Sequence, residues 1–138
     1  WNIPAEFMKM KKPHKVPLSK EALRVLDLMK VISGHREWVF PSIKAPLNHM
    51  HEQTANAAII RMGFGGELVA HGMRSIARTA AEECGKFRTD VLEAALDHKK
   101  KDEIIAAYNR AEYLTERVVL MQWWSDYVSS QKCKVIAA

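Results

Sequence analysis

The sequence predicts an α+β fold, mainly α, with a small β-hairpin at its start. Two observations carry this. The opening WNIPAEFMKMKKPHKVPLS is broken by prolines and holds four lysines between Lys9 and Lys15, a pattern that blocks a long helix. The rest of the chain repeats apolar residues at helical spacing, in stretches closed by Gly34, GFGG and Gly85.

The elements follow in order. Extended WNIP and KVPL flank the basic turn as the two strand ends of a hairpin. Ser19 stands where a side-chain oxygen caps a helix. Leu23, Leu26, Met29 and Val31 to Ile32 form the apolar stripe of that helix, up to Gly34. EWVFPSIKAPLNH, with Pro41 and Pro46, reads as a loop. A helix near Met50 to Met62 places Ala55, Ala58, Ile59 and Met62 on one face, and GFGG ends it. A helix opened by His71 runs to about Cys84. TDVLEAAL is a short helix capped by Thr89 or Asp90, and two further helical stretches lie around 102–112 and 114–129.

Composition narrows the classes of function. At 138 residues the chain has the length of one domain, and 48% hydrophobic with 27% charged residues is ordinary for a soluble protein. No apolar run reaches the ~20 residues that span a bilayer. Lysine and arginine outnumber acidic residues by 21 to 16, a net charge of +5 that suits a nucleic-acid partner without specifying one. Cys84 and Cys133 form no spaced pair and read as reduced thiols of a cytosolic protein. The first residue is Trp1, not Met, so the chain is expected to be a piece of something longer.

Four places could carry chemistry. His49 and His51 are two apart, but no carboxylate or cysteine cluster joins them, and they read as surface histidines rather than metal ligands. GFGGE lacks the spacing of a nucleotide loop. AHGMRSIARTAAEE sets His71 and Arg74 where a helix begins, a place suited to an anion. His98 directly follows the apolar LEAAL, and Tyr108 comes ten residues later in AAYNRAEYL.

His71, Arg74, His98 and Tyr108 form an ordered series, and with it the chain resembles the C-terminal part of a tyrosine recombinase of the phage-integrase family. The likeness is nearest to the island- and satellite-phage integrases. HGMRSIARTAAEE resembles that family's His-x-x-Arg box and LDH its second histidine motif. AAYNRAEYLTER resembles the nucleophile segment, and MQWWSDYV the tail after it. The opening IPAEFMKMKKPHKVPLS is similar to the hairpin and strand that carry the family's catalytic lysine. A type IB topoisomerase shares the pocket chemistry, but the tail favours an integrase.

The resemblance implies a helical catalytic domain with a small N-terminal hairpin over residues 1–138. Tyr108 matches the nucleophile, Arg74 the second catalytic arginine, His71 the first histidine and His98 the second. Lys9 matches the hairpin lysine, counted back from Val16, with Lys11 as the fallback. The family's first arginine precedes the hairpin and has no counterpart here, nor has the DNA-clamping domain. Family members cut one DNA strand by attack of tyrosine on a phosphodiester, leaving a 3′-phosphotyrosine and a free 5′-hydroxyl. Arg74 would clamp the phosphate with a planar fork, aided by N–H groups of the helix start. His71 would donate to the phosphate or assist deprotonation of Tyr108, His98 would donate, and Lys9 would protonate the leaving oxygen.

The resemblance implies no metal and no cofactor, since one phosphodiester is exchanged for another. It implies double-stranded DNA attachment sites as substrate, a homotetramer on DNA, an excisionase or host DNA-bending protein as accessory, and a bacterial cytoplasmic, nucleoid-associated location. Tyr127 reads as packing in an apolar helix, and Tyr113 matches no motif. A second function stays open: a DNA-binding or protein-interaction module without catalysis, from a truncated or degenerate recombinase.

Overall fold

The computed structural model describes residues 1–9, 11–98 and 113–136, with side chains up to residue 131. Strand β1 (Asn2–Ile3) pairs antiparallel with β2 (His14–Lys15), in the register Asn2 to Lys15 and Ile3 to His14. The helices are α1 (Lys20–Ser33), α2 (Thr54–Ile59), α3 (Gly72–Glu83), α4 (Thr89–Ala95) and α5 (Leu114–Ile136). The expected mainly helical chain with a small hairpin is what the described residues form. The helix expected around 102–112 lies outside them. No helix among them is long and apolar enough to cross a membrane.

The chain divides into two compact units, Trp1–Lys20 with Arg78–Ala138, and Glu21–Ala77. In the first, Ala81 of α3, Val91 and Leu92 of α4 and Leu120 of α5 form a buried core. Phe87, Ala95, Tyr113 and Trp123 pack around it, and Phe87 meets Trp123 edge to face at 5.4 Å. Burying a side chain such as Val91 or Leu92, each 2% exposed, contributes about 1.5–3 kcal/mol. This is why one face of TDVLEAAL has to be apolar.

The hairpin is secured from a distance. A 3-10 turn over Ala5–Phe7 follows β1, and Val16 donates its N–H to the Trp1 carbonyl at 2.8 Å. The buried guanidinium of Arg117, on α5, donates to the Lys15 carbonyl and to His14 Nε2. Further along α5, the Gln122 side-chain oxygen accepts the N–H of Lys20, the first residue of α1, at 3.0 Å.

In the second unit α1 ends at Gly34 for a steric reason. A Cβ there would stand 2.3 Å from the Lys30 carbonyl oxygen, which accepts the Gly34 N–H. The expected stripe is corrected. Ala22, Leu26, Met29 and Ser33 are the more covered positions, while Leu23, Val31 and Ile32 are exposed. The Ser33 hydroxyl lies 2.6 Å from the Val39 carbonyl and 3.0 Å from that of Met29, and its single proton serves the nearer.

The helix expected from Met50 begins later, at Thr54. Residues 41–50 are drawn into an extended turn instead. Pro41 bridges His49, Met50 donates to the Phe40 carbonyl, and Ser42 donates to Asn48. After Ile59 the helix loosens into a π turn, Ile60–Phe64, closed by Gly63 at φ +93°, a left-handed position that favours glycine. Ile59 is buried as expected, but Ala55 and Met62 are exposed.

Candidate active site

The first cluster stands where α3 begins. His71 occupies the turn residue before Gly72, and Arg74 lies in the first helical turn. The approach is held by Asn56 of α2, whose side-chain oxygen accepts the Ala70 N–H at 2.7 Å. Both His71 and Arg74 are exposed. The N–H groups of Gly72, Met73 and Arg74 donate to the carbonyls of Val69, Ala70 and His71, at 2.9, 3.3 and 3.1 Å. The expectation of backbone donors for an anion is therefore corrected at these three residues. What this turn exposes is the side chains of His71 and Arg74, at the positive end of a helix dipole.

The second cluster lies at the end of α4. Asp97 adopts φ +54°, a left-handed conformation that aspartate tolerates better than most residues. Its N–H donates to the Ala94 carbonyl, and the His98 N–H reaches back to the Glu93 carbonyl at 2.9 Å. This pair of bonds is a Schellman turn with aspartate in the usual place of glycine, and it fixes the backbone of His98. The His98 side chain returns to the same residue, with Nδ1 2.7 Å from Glu93 Oε2. The other oxygen of Glu93 accepts from Arg78 Nε at 2.8 Å, and Arg78 also binds Glu82. Burial pushes the Glu93 carboxyl up, but the hydrogen bonds from Arg78 and His98 outweigh it and hold it below the usual carboxylate range. The same two carboxylates push the Arg78 guanidinium up, the Glu93 bond most.

Lys9 is an exposed turn residue of the hairpin. Lys11, its fallback, has φ +52° and turns its ammonium toward the Glu6 carbonyl at 3.4 Å. Tyr108 lies outside the described residues. The two tyrosines that compete with it are both engaged. The Tyr113 phenol is pushed up by burial and by the Asp90 carboxylate, and its ring lies 5.6 Å from the Arg88 guanidinium. Tyr127 stacks on Trp123 and Trp124 at 5.4 and 5.7 Å.

The remaining expectations divide. Neither Thr89 nor Asp90 caps α4. Arg88 occupies the cap position, where a guanidinium has no acceptor to offer a helix N–H, and it pairs with the Asp90 carboxylate instead. His49 packs edge-on against Trp38 at 5.1 Å with Nδ1 at the Met50 carbonyl, and His51 Nδ1 accepts the Gln53 N–H. Both histidines serve the local turn. Among the described residues no group of three His, Cys, Asp or Glu side chains is arranged to hold a metal ion. Reading the sequence did not single out Glu93, Arg78, His14 or Arg117. The only signal for Glu93 was its place five residues before a histidine that ends a helix.

The profile of the phage integrase family matches residues 1–114. Over 130 residues the chain is 54% identical to prophage integrase IntA of Escherichia coli K12, covering 94% of this chain and 31% of that protein. It is 38% identical over 152 residues to the integrase of enterobacteria phage P4, covering 99% and 35%. It is 35% identical over 132 residues to prophage integrase IntZ of E. coli K12, covering 93% and 31%. The chain thus spans about a third of the length of these curated relatives. No solved structure matches it. A helix opened by His71 and Arg74, a hairpin bearing Lys9, and sequence likeness along nearly the whole chain agree, and the chain belongs to the phage integrase family.

Proposed function

We propose that the full-length protein is a tyrosine-type site-specific recombinase that integrates and excises a mobile element at double-stranded DNA attachment sites. The observation that carries this reading is the pair of stations able to donate to an anion, His71 with Arg74 at the start of α3 and His98 fixed at the end of α4, in a chain of this family.

In the proposed reaction the Tyr108 oxygen attacks the scissile phosphorus and the bond to the 5′-oxygen breaks. The tyrosine proton leaves with help from His71, and Lys9 returns a proton to the departing 5′-hydroxyl. Charge grows on the non-bridging oxygens, where Arg74 offers two parallel donors and His98 a further one. Each such donor is typically worth about 3 kcal/mol in the transition state. The phosphotyrosine keeps the energy of the broken phosphodiester, so attack by a second 5′-hydroxyl reverses the chemistry on a new strand. The engagement of Tyr113 and Tyr127 in packing supports Tyr108 as nucleophile.

A homotetramer on DNA, an excisionase or host DNA-bending protein as accessory, and a bacterial cytoplasmic, nucleoid-associated location complete the proposal. The test is a nicked suicide substrate carrying the attachment site. The full-length protein should form a covalent adduct, Tyr108→Phe should bind the DNA yet form none, and Tyr113→Phe should still form it. Adduct formation by Tyr108→Phe would overturn the assignment. Retained DNA affinity with no adduct from the unaltered protein would instead support a non-catalytic binding module.

A further inference from the structure

We propose that Glu93 is a positioning residue for His98: it holds the imidazole by Nδ1, so that Nε2 is the atom left to meet the scissile phosphate. Three observations converge on it. Glu93 accepts the His98 backbone N–H on its carbonyl at 2.9 Å and faces the His98 ring with Oε2 at 2.7 Å. One residue therefore fixes both the main chain and the ring. The second carboxylate oxygen is occupied by Arg78 Nε at 2.8 Å, and Arg78 is braced in turn by Glu82, one turn along α3. The carboxylate cannot rotate without breaking one of these bonds.

The protonation states follow from what each atom can do. Glu93 is held ionised by its two donors, and an ionised carboxylate only accepts. The hydrogen of the contact must then sit on Nδ1, which makes Nε2 the nitrogen with the lone pair in the neutral ring and the free N–H in the imidazolium. A histidine without such a partner can present either nitrogen. Orientation of a ring by a carboxylate on its far nitrogen is a general means of preparing it for work at the near one. Arg78 is part of the device but acts one step further away, since removing it leaves the Glu93–His98 contact in place.

This inference rests on His98 as a phosphate donor, and its test separates the two ideas. In the full-length protein, Glu93→Ala should slow adduct formation on the nicked substrate by about ten- to a hundred-fold. Its DNA affinity should stay within about two-fold. Arg78 keeps Glu82 and alanine favours helix, so the fold should survive. In a His98→Ala background the same substitution should cost no more than about two-fold, because two residues acting through one atom are not additive. Arg78→Gln should cost less than Glu93→Ala. Ring 15N spectra of His98 at mildly alkaline pH provide a readout that needs no reaction: Nδ1–H in the unaltered protein, Nε2–H in Glu93→Ala. Additive losses, an unchanged rate or an unchanged tautomer would overturn the role of Glu93. Absence of any adduct from the unaltered protein would overturn the recombinase reading instead, and the ring spectra would still decide whether Glu93 orients His98.

Discussion

Arg117→Ala should destabilise the first unit by roughly 2–4 kcal/mol, and the figure can be built from the contacts. Arg117 is 3% exposed, and one of its terminal nitrogens spends its two hydrogens on the Lys15 carbonyl and on His14 Nε2. Hydrogen bonds from a charged donor contribute about 1.5–3 kcal/mol each, or roughly 3–6 for the pair. Truncation to Cβ also removes two packed methylenes, about 1.5 kcal/mol. Against these stands the desolvation of a buried guanidinium, several kcal/mol, which the substitution relieves. For a chain of this size the net loss should lower the unfolding midpoint by about 8–16 °C. Arg117→Lys should recover less than half of it, since an ammonium on a shorter reach cannot serve both acceptors. The assay is thermal and denaturant unfolding followed by circular dichroism. The decisive variant is Arg117→Met, which keeps the volume without the charge. A methionine variant as stable as the unaltered protein would show that the guanidinium contributes nothing net, and the reasoning would fail.

Three further outcomes are expected. Leu92→Ala, at a core position 2% exposed, should cost about 3 kcal/mol in denaturant unfolding. Asp97→Val should cost about 1–2 kcal/mol, because a β-branched residue resists φ +54°, while Asp97→Gly should retain the turn; equal losses in the two would refute a backbone cause. Glu93 is held below its ordinary value of 4.5, so the stability it contributes is present above that pH and drains as pH falls through its lowered folded value. Acid titration of the fold should therefore show a shallower loss below pH 4.5 in Glu93→Gln, and an identical acid limb would refute the linkage.

The parts of the fold that could be read from sequence are those written in local chemistry. Gly34 and Gly85 bound α1 and α3 because helix ends demand what glycine allows, and the prolines of the first segment left little but a hairpin. The His71–Arg74 station was legible for the same reason, as a motif inside one turn of helix. What failed were features decided by partners elsewhere in the chain. α2 starts late because Pro41 and Phe40 draw His49 and Met50 into an extended turn. Asp90 does not cap α4 because the helix begins one residue earlier, at Thr89, and leaves Asp90 inside the first turn, paired with Arg88. Val31 and Ile32 look like core by periodicity, yet Ser33 is the buried position, because its hydroxyl holds the Val39 carbonyl. Glu93 and Arg78 meet across 15 residues and Arg117 and His14 across 103, distances over which no pattern in the letters announces a bond.

The separation between Arg117 and His14 also sets a schedule for synthesis. A ribosome adding about 5–20 residues per second needs roughly 5–20 s to travel from the hairpin to the residue that fastens it. During that interval the pairing of β1 with β2 lacks the Arg117 bonds, and a two-stranded hairpin without outside support is marginal in water. Lys9 rides on that hairpin. The turn that carries Lys9 would thus be secured late, once α5 has closed a loop of about a hundred residues. Closing such a loop costs only slightly more than closing one half as long, so the delay is one of time rather than of stability.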